Sequence, residues 1–308
     1  MATVFFAPLA AALPASEQNG NGAPSWVDDA TNARFTHYAR LPLHAMVGLD
    51  PDLATVLDAH FIGCTPERLR NIRHDHARAV SATAASLLAE EQFSADLARI
   101  AAVTGPRIVV LGDSITADSL GWASLLKACL STAHDEAERV AVVNLAVSGF
   151  TTSETIPLFA LVVRERPTCV LAMLGTNDGR RQGAIADVRT VTTTETQRNL
   201  DALRTLTEQE SGARFVGIAP PLMNQVLYEA SAPPDAPVRF SNEDLAATLD
   251  VVRVALPEVI DLPVLLGDAL PATFWLADGL HPSEHGQKIL LRQIVHALVQ
   301  LDRPLARK

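Results

Sequence analysis

Ser114 ends the run Arg107-Ile108-Val109-Val110-Leu111-Gly112-Asp113-Ser114, where a β-branched apolar stretch stops at a Gly-Asp-Ser turn. A serine hydroxyl is a weak nucleophile near neutral pH and needs a base to take its proton during attack. Among the nine histidines, His281 has the best context, in Asp278-Gly279-Leu280-His281-Pro282. Asp278 precedes it by three residues, so one turn can set a carboxylate against Nδ1 and leave Nε2 for Ser114. Attack on an acyl carbon creates an oxyanion, which needs donors already in place. Asn177, in Gly175-Thr176-Asn177-Asp178, offers a side-chain amide, and Gly149, in Asn144-Leu145-Ala146-Val147-Ser148-Gly149, offers an N–H that neighbours can approach closely. The Ser114 N–H is a third candidate. Together these are the parts of acyl transfer through a covalent serine intermediate.

Each segment also has a plainer reading. Asp-Gly-Leu-His-Pro can be only a turn into the last helix, Gly149 only a turn glycine, and Asn177 a loop residue bonding its own backbone. Their joint occurrence after three successive apolar runs favours the chemical reading. His281 with His285 suggests a metal pair, but Pro282 disfavours one continuous helix and no third ligand is apparent, so no metal or other cofactor is expected. Asp113 and Asp178 would suit phosphoryl or glycosyl chemistry. No P-loop or dinucleotide fingerprint accompanies them, and no Gly-x-Ser-x-Gly elbow is present. Asp113 instead reads as a residue shaping the serine turn. Arg180 and Arg181 could meet an anionic substrate group or form a solvated surface pair.

The elements that must position these residues alternate. Apolar runs at 107–111, 140–145, 168–174, 214–219 and 258–262 have the continuous character of parallel strands covered on both faces. Helical spacing lies between them, as in Leu120–Leu130, Leu200/Leu203/Leu206, Leu245/Leu249/Val252/Leu256 and Ser283–Leu301. Thr151 and Glu154 form a capping box at the head of another helix. This order predicts about five parallel strands between helices, with the loops at their carboxyl ends gathered into one crevice. Ser114, Gly149 and Asn177 follow the first three strands, and Asp278 and His281 follow the fifth. Residues 1–25 read as a flexible arm. Residues 26–104 read as a helical region, with Asp50-Pro51 and Thr65-Pro66 as helix starts, expected to pack against the strand-and-helix region after it. The proline-bearing segment 220–242 could wall the crevice or be an inert excursion.

Bulk properties narrow the classes. Apolar residues make up 48% of 308 and the net charge is −10 without a basic block, which excludes a nucleic-acid groove. Three scattered cysteines give no disulfide framework and fit a reducing compartment. Residues 2–15 are apolar, but Arg34 is the first basic residue and Pro8 interrupts them. They therefore read as an arm of a cytoplasmic protein without a membrane span, with a secretory signal as the alternative.

The blocks Gly112-Asp113-Ser114-Ile115, Gly149, Gly175-Thr176-Asn177-Asp178 and Asp278-Gly279-Leu280-His281-Pro282, in this order over about residues 106–301, resemble the GDSL, or SGNH, hydrolase family. The resemblance implies a flavodoxin-like three-layer α/β/α sandwich at 105–308 and a metal-independent serine esterase acting on a small-molecule acyl ester. It implies Ser114 as nucleophile and first oxyanion donor, Gly149 and Asn177 completing the hole, His281 as base and Asp278 orienting it. The same residues serve an acyltransferase, and a non-catalytic binding protein on the scaffold is the other alternative. The departure is the roughly 100 residues ahead of the first block; families of this kind usually begin close to it.

Overall fold

The computed structural model describes residue 37 and residues 49–133, 140–233, 235–267 and 270–301. The expected arm at 1–25, and residues 26–48 apart from His37, lie outside the described residues. Two helices open the described chain. In α1 (Pro51–Ile62) the Asp50 carboxylate accepts from the Asp52 and Leu53 N–H groups, and in α2 (Pro66–Leu88) the Thr65 hydroxyl accepts from that of Arg68. Each cap satisfies donors that a first turn leaves unpaired, and the proline at the first helical position has no N–H to satisfy. Two shorter helices follow, α3 (Glu91–Ala98) and α4 (Ile100–Thr104).

The five apolar runs form one parallel sheet of β1 (Arg107–Gly112), β2 (Ala141–Asn144), β3 (Cys169–Met173), β6 (Arg214–Ala219) and β8 (Val259–Asp261), in the order β2-β1-β3-β6-β8. This is the doubly wound order with its switch point between the first and third strands. Alternation along each strand sends side chains to two separate cores. Ile108, Val110, Leu171, Met173 and Ile218 pack among residues of α2–α4, of α6 (Trp122–Ala133) and of α13 (Glu284–Leu301). Val109, Leu111, Val170 and Phe215 pack against α8 (Phe159–Arg164), α9 (Thr193–Leu206) and α11 (Asn242–Ala255). Apolar side chains on both faces hold the sheet between helices, and the fold is a three-layer α/β sandwich.

The helices before β1 extend the first of these layers. Leu87, Phe93, Leu97 and Ile100 are buried in one cluster with Trp122, Leu126, Ile294, Val295 and Leu298. Arg292 of α13 makes two hydrogen bonds to Glu90, His296 bonds Asp96 at 2.8 Å, and Arg99 reaches the Val299 carbonyl.

Two local departures from the sequence reading have plain causes. The helix begun by the Thr151–Glu154 capping box lasts only four residues, α7 (Thr152–Thr155), then passes through a 3₁₀ turn at Ile156–Leu158 before α8 resumes. Pro157 sits at the start of that turn, where a missing N–H and a fixed φ break the α-helical ladder. A second, antiparallel sheet joins β4 (Arg181–Gln182), β5 (Val188–Arg189) and β7 (Val238–Arg239) in the order β5-β4-β7. Two-residue strands carry no period and are invisible to pattern reading. Between β6 and β7 lies α10 (Gln225–Ser231), and α12 (Leu262–Leu266) follows β8. Among the described residues no helix is long and apolar enough to cross a membrane.

Candidate active site

Ser114 is the first residue of the four-residue helix α5 (Ser114–Ala117), and Asp113 is its cap, accepting from the Ile115 N–H at 3.0 Å. This turn follows β1 directly, so the serine stands at the carboxyl edge of the sheet, half-buried. The base arrives from the other end of the chain. Residues 274–283 fold back on themselves: the Leu276 N–H donates to the His281 carbonyl at 2.8 Å, and the Ser283 N–H to that of Phe274 at 2.8 Å. Gly279 turns the tip with φ 66°, and a Cβ there would lie 2.5 Å from the Tyr228 nitrogen. Only glycine meets both the left-handed backbone and this close approach. The neighbour is α10, and the Asn224 N–H just before it donates to the Gly279 carbonyl at 2.8 Å. Segment 220–242 is thus packed on the turn that holds the base, and its β7 joins the small sheet following Asn177.

The result is one continuous hydrogen-bonded line. Ser114 Oγ lies 2.8 Å from His281 Nε2, and His281 Nδ1 lies 2.9 Å from Asp278 Oδ2. The other carboxylate oxygen of Asp278 accepts from the Leu280 and His281 N–H groups at 3.0 and 2.9 Å. Burial alone would raise the Asp278 pKa. The neighbouring His281 charge and the hydrogen bonds from the ring and the two N–H groups outweigh it and hold the carboxyl well below the usual range. An ionised Asp278 favours the imidazole tautomer with its proton on Nδ1 and an accepting Nε2 toward the serine. Both ring nitrogens of His281 are therefore engaged, and His285 is exposed. Among the described residues no group of three or more His, Cys, Asp or Glu is placed to hold a metal ion.

Gly149 and Asn177 stand on the loops after β2 and β3. Loop and strand ends are tied together: the Val147 N–H donates to the Gly112 carbonyl at 3.0 Å, and the Asn144 amide to that of Thr116 at 2.9 Å. Gly149 is left-handed, φ 79°. Asn177 is buried and its amide nitrogen donates to the Phe150 carbonyl at 3.2 Å. Among the described residues the Ser114 and Gly149 N–H groups have no hydrogen-bond acceptor. Arg180 and Arg181, for which the sequence leaves open an anionic substrate group or a solvated surface pair, both have protein partners. Arg181 makes a two-bond pair with Asp244 at 2.7 and 2.9 Å. Arg180 turns inward, donating to the Gly149 carbonyl at 2.9 Å and to Asn177 Oδ1 at 3.4 Å.

With the site in place, the family model described as the GDSL-like lipase/acylhydrolase family matches residues 110–289, more than half of the chain. The chain belongs to the GDSL-like lipase/acylhydrolase family. It is 39% identical over 88 residues to the esterase TesA of Pseudomonas aeruginosa, an alignment spanning 27% of this chain and 42% of that relative's length. It also superposes on the crystal structure of the lipase/acylhydrolase from Enterococcus faecalis with a TM-score of 0.50 and 25% identity, covering 65% of this chain and 99% of that one. Both matches leave much of this chain unpaired, whereas the Enterococcus fold is covered almost completely.

Two buried carboxylates of this GDSL-like site are structural in their contacts. Asp178 accepts from the Thr152 N–H and hydroxyl and from Thr196, joining α7 and α9 to the loop that carries Asn177. Asp113 is fully buried; burial pushes its pKa up to about 6, against the opposing effect of the Ile115 N–H. An unfolded aspartate titrates near 4. Folding stability therefore falls as pH rises from about 4 to about 6, where the unfolded carboxyl ionises and the buried one does not, and the loss stays constant above that. Asp113→Asn, which keeps an oxygen for the Ile115 N–H, is expected to stabilise the protein at pH 8 by on the order of 2–3 kcal/mol. Urea denaturation at pH 8 and pH 4 checks this; an equal gain at both pH values would refute it.

Gln287 escaped the sequence reading. Its buried amide accepts from the Trp122 N–H at 3.0 Å and donates to the Ile115 carbonyl at 3.1 Å and Asp118 Oδ2 at 3.2 Å. It thereby ties α13, which follows the His281 turn, to the serine helix. A signal was available: with Leu291, Ile294 and Leu298, Gln287 falls on the apolar stripe of α13, where a polar residue needs buried partners. Gln287→Leu leaves those partners unsatisfied and is expected to destabilise by roughly 2–4 kcal/mol, read as a lowered urea midpoint. A midpoint equal to wild type would refute it.

Proposed function

We propose that this protein is a serine esterase that cleaves a carboxylic ester or thioester of a small-molecule substrate through an acyl-enzyme on Ser114. The single observation that carries this reading is the Asp278–His281–Ser114 line at 2.9 and 2.8 Å. As Ser114 Oγ attacks the acyl carbon, His281 Nε2 takes the hydroxyl proton, and Asp278 stabilises the imidazolium that forms. The carbonyl oxygen becomes an oxyanion, received by the N–H groups of Ser114 and Gly149 and by the Asn177 amide. Collapse breaks the ester bond, and His281 returns the proton to the leaving alcohol or thiol. Water then repeats the sequence on the acyl-enzyme, with His281 again as base, releasing the acid and restoring Ser114. Membership of a lipase/acylhydrolase family and the family-model match at 110–289 support placing the hydrolase domain at 105–308.

The test is labelling with a fluorophosphonate probe, which phosphonylates an activated serine with loss of fluoride, followed by peptide mass analysis. A single adduct on Ser114, blocked by prior incubation with p-nitrophenyl acetate, is the expected result. Folded protein that takes up no probe and hydrolyses no p-nitrophenyl ester from acetyl to dodecanoyl would overturn the reading.

A further inference from the structure

Arg180 is unusual in the company its charge keeps. A guanidinium withdrawn from water normally meets a carboxylate. Among the described residues Arg180 has no carboxylate within ion-pair distance; its partners are two neutral oxygens, the Gly149 carbonyl and Asn177 Oδ1. Its Nε is buried without an acceptor, and burial is the main influence lowering its pKa. Withdrawing a cation in this way is unfavourable, so a compensating use is expected. Both oxygens belong to residues whose nitrogens face the oxyanion. Arg180 holds Asn177 Oδ1 while the Phe150 carbonyl accepts from the NH₂ group, so the amide is oriented from both ends and its second N–H is left for an incoming oxygen. Holding the Gly149 carbonyl pins the left-handed residue whose N–H is the second donor. Glu154, Asp178 and Asp113 act on the guanidinium as opposing charges from beyond hydrogen-bond reach, so its local effect is through the two oxygens it holds.

We propose that Arg180 is the positioning residue of the oxyanion hole, orienting Asn177 and Gly149 from behind. This rests on the serine-esterase reading above. Without Arg180 the Gly149 carbonyl loses this tie and the Asn177 amide keeps its bond to the Phe150 carbonyl but not the one on its oxygen, so both donors are held less firmly.

The experiment compares full-length wild type, Arg180→Met, Arg180→Lys, Asn177→Ala, the Asn177→Ala/Arg180→Met double variant and Ser114→Ala. Turnover of p-nitrophenyl acetate is read alongside inhibition by an alkyl trifluoromethyl ketone, which forms a tetrahedral oxyanion adduct. Removing one oxyanion donor lowers kcat by about 10²–10³-fold, and misplacing donors should lower it less. Arg180→Met is expected to lower kcat by about 10–100-fold with little change in KM, and to raise the ketone Ki by a similar factor. Arg180→Lys, which keeps the charge but reaches one acceptor, should fall between. In the Asn177→Ala background the Arg180→Met loss should shrink severalfold, because part of its action runs through Asn177. A purely structural arginine would lower the melting temperature without this coupling or the matching Ki. Should Arg180→Met fail to fold, Arg180→Lys decides alone. The proposal is overturned if the folded variants keep kcat and Ki within about twofold of wild type, or if the loss is the same in both backgrounds. Those outcomes, with turnover still dependent on Ser114, remove the role of Arg180 alone. Turnover that survives Ser114→Ala removes the serine reading and this proposal with it.

Discussion

Ser114→Ala is expected to lower kcat on p-nitrophenyl esters by about 10⁵-fold or more, to the level that substrate binding and the oxyanion donors sustain alone. The reasoning is geometric. The proton that must leave is on Oγ, 2.8 Å from His281 Nε2. Alanine removes the atom that forms the acyl bond, so the loss is of the covalent route itself. The fold should tolerate the change, since Ser114 is half-buried at a helix start that Asp113 caps. Steady-state kinetics with intact protein mass spectrometry measures both parts: turnover, and the acyl or phosphonyl adduct. Undiminished turnover would sink the assignment.

Asp278→Asn should cost about 10³–10⁴-fold in kcat with KM little changed. An asparagine can still accept the Leu280 and His281 N–H groups with its oxygen. Its NH₂ group then faces His281 Nδ1, which must become the acceptor. The ring proton moves to Nε2, toward Ser114, and a protonated nitrogen cannot take the serine proton. The ionised carboxylate held low by His281 and two backbone donors is thus needed for its charge and for the tautomer it selects. Circular dichroism and a melting curve would show whether the variant is folded. A folded variant with kcat within about tenfold of wild type would refute the role of Asp278.

What was legible in the sequence was what leaves a local mark. Val109-Val110-Leu111 and Val170-Leu171-Ala172 read as strands because both faces of the sheet are covered, so the apolar run is unbroken. The edge bearing Ser114, Gly149, Asn177 and His281 followed from parallel connections, which put successive loop starts at one end. The illegible parts depend on partners far along the chain. Arg180, three residues after Asn177, reads equally as a substrate contact or a solvated surface charge; the Gly149 carbonyl that claims it is 31 residues earlier. The small sheet joins residues 181 and 239, a pairing with no periodic trace. Gln287 bonds Ile115 across 172 positions, and only its place on an apolar stripe hinted at that.

The shared use of α13 has a practical consequence for anyone wishing to trim this enzyme to the length of its smaller relatives. Cutting at residue 105 would leave every block of the active site in the remaining polypeptide. It would also remove Leu87, Phe93, Leu97 and Ile100 from the cluster they share with α13 and leave Arg292 and His296 without Glu90 and Asp96. That newly bared face lies on the very helix whose first turns follow His281 and hold Gln287 against the serine. A shortened version would therefore need a redesigned surface on the face of α13 that carries Arg292 and His296, before loss of activity on truncation could be ascribed to the chemistry.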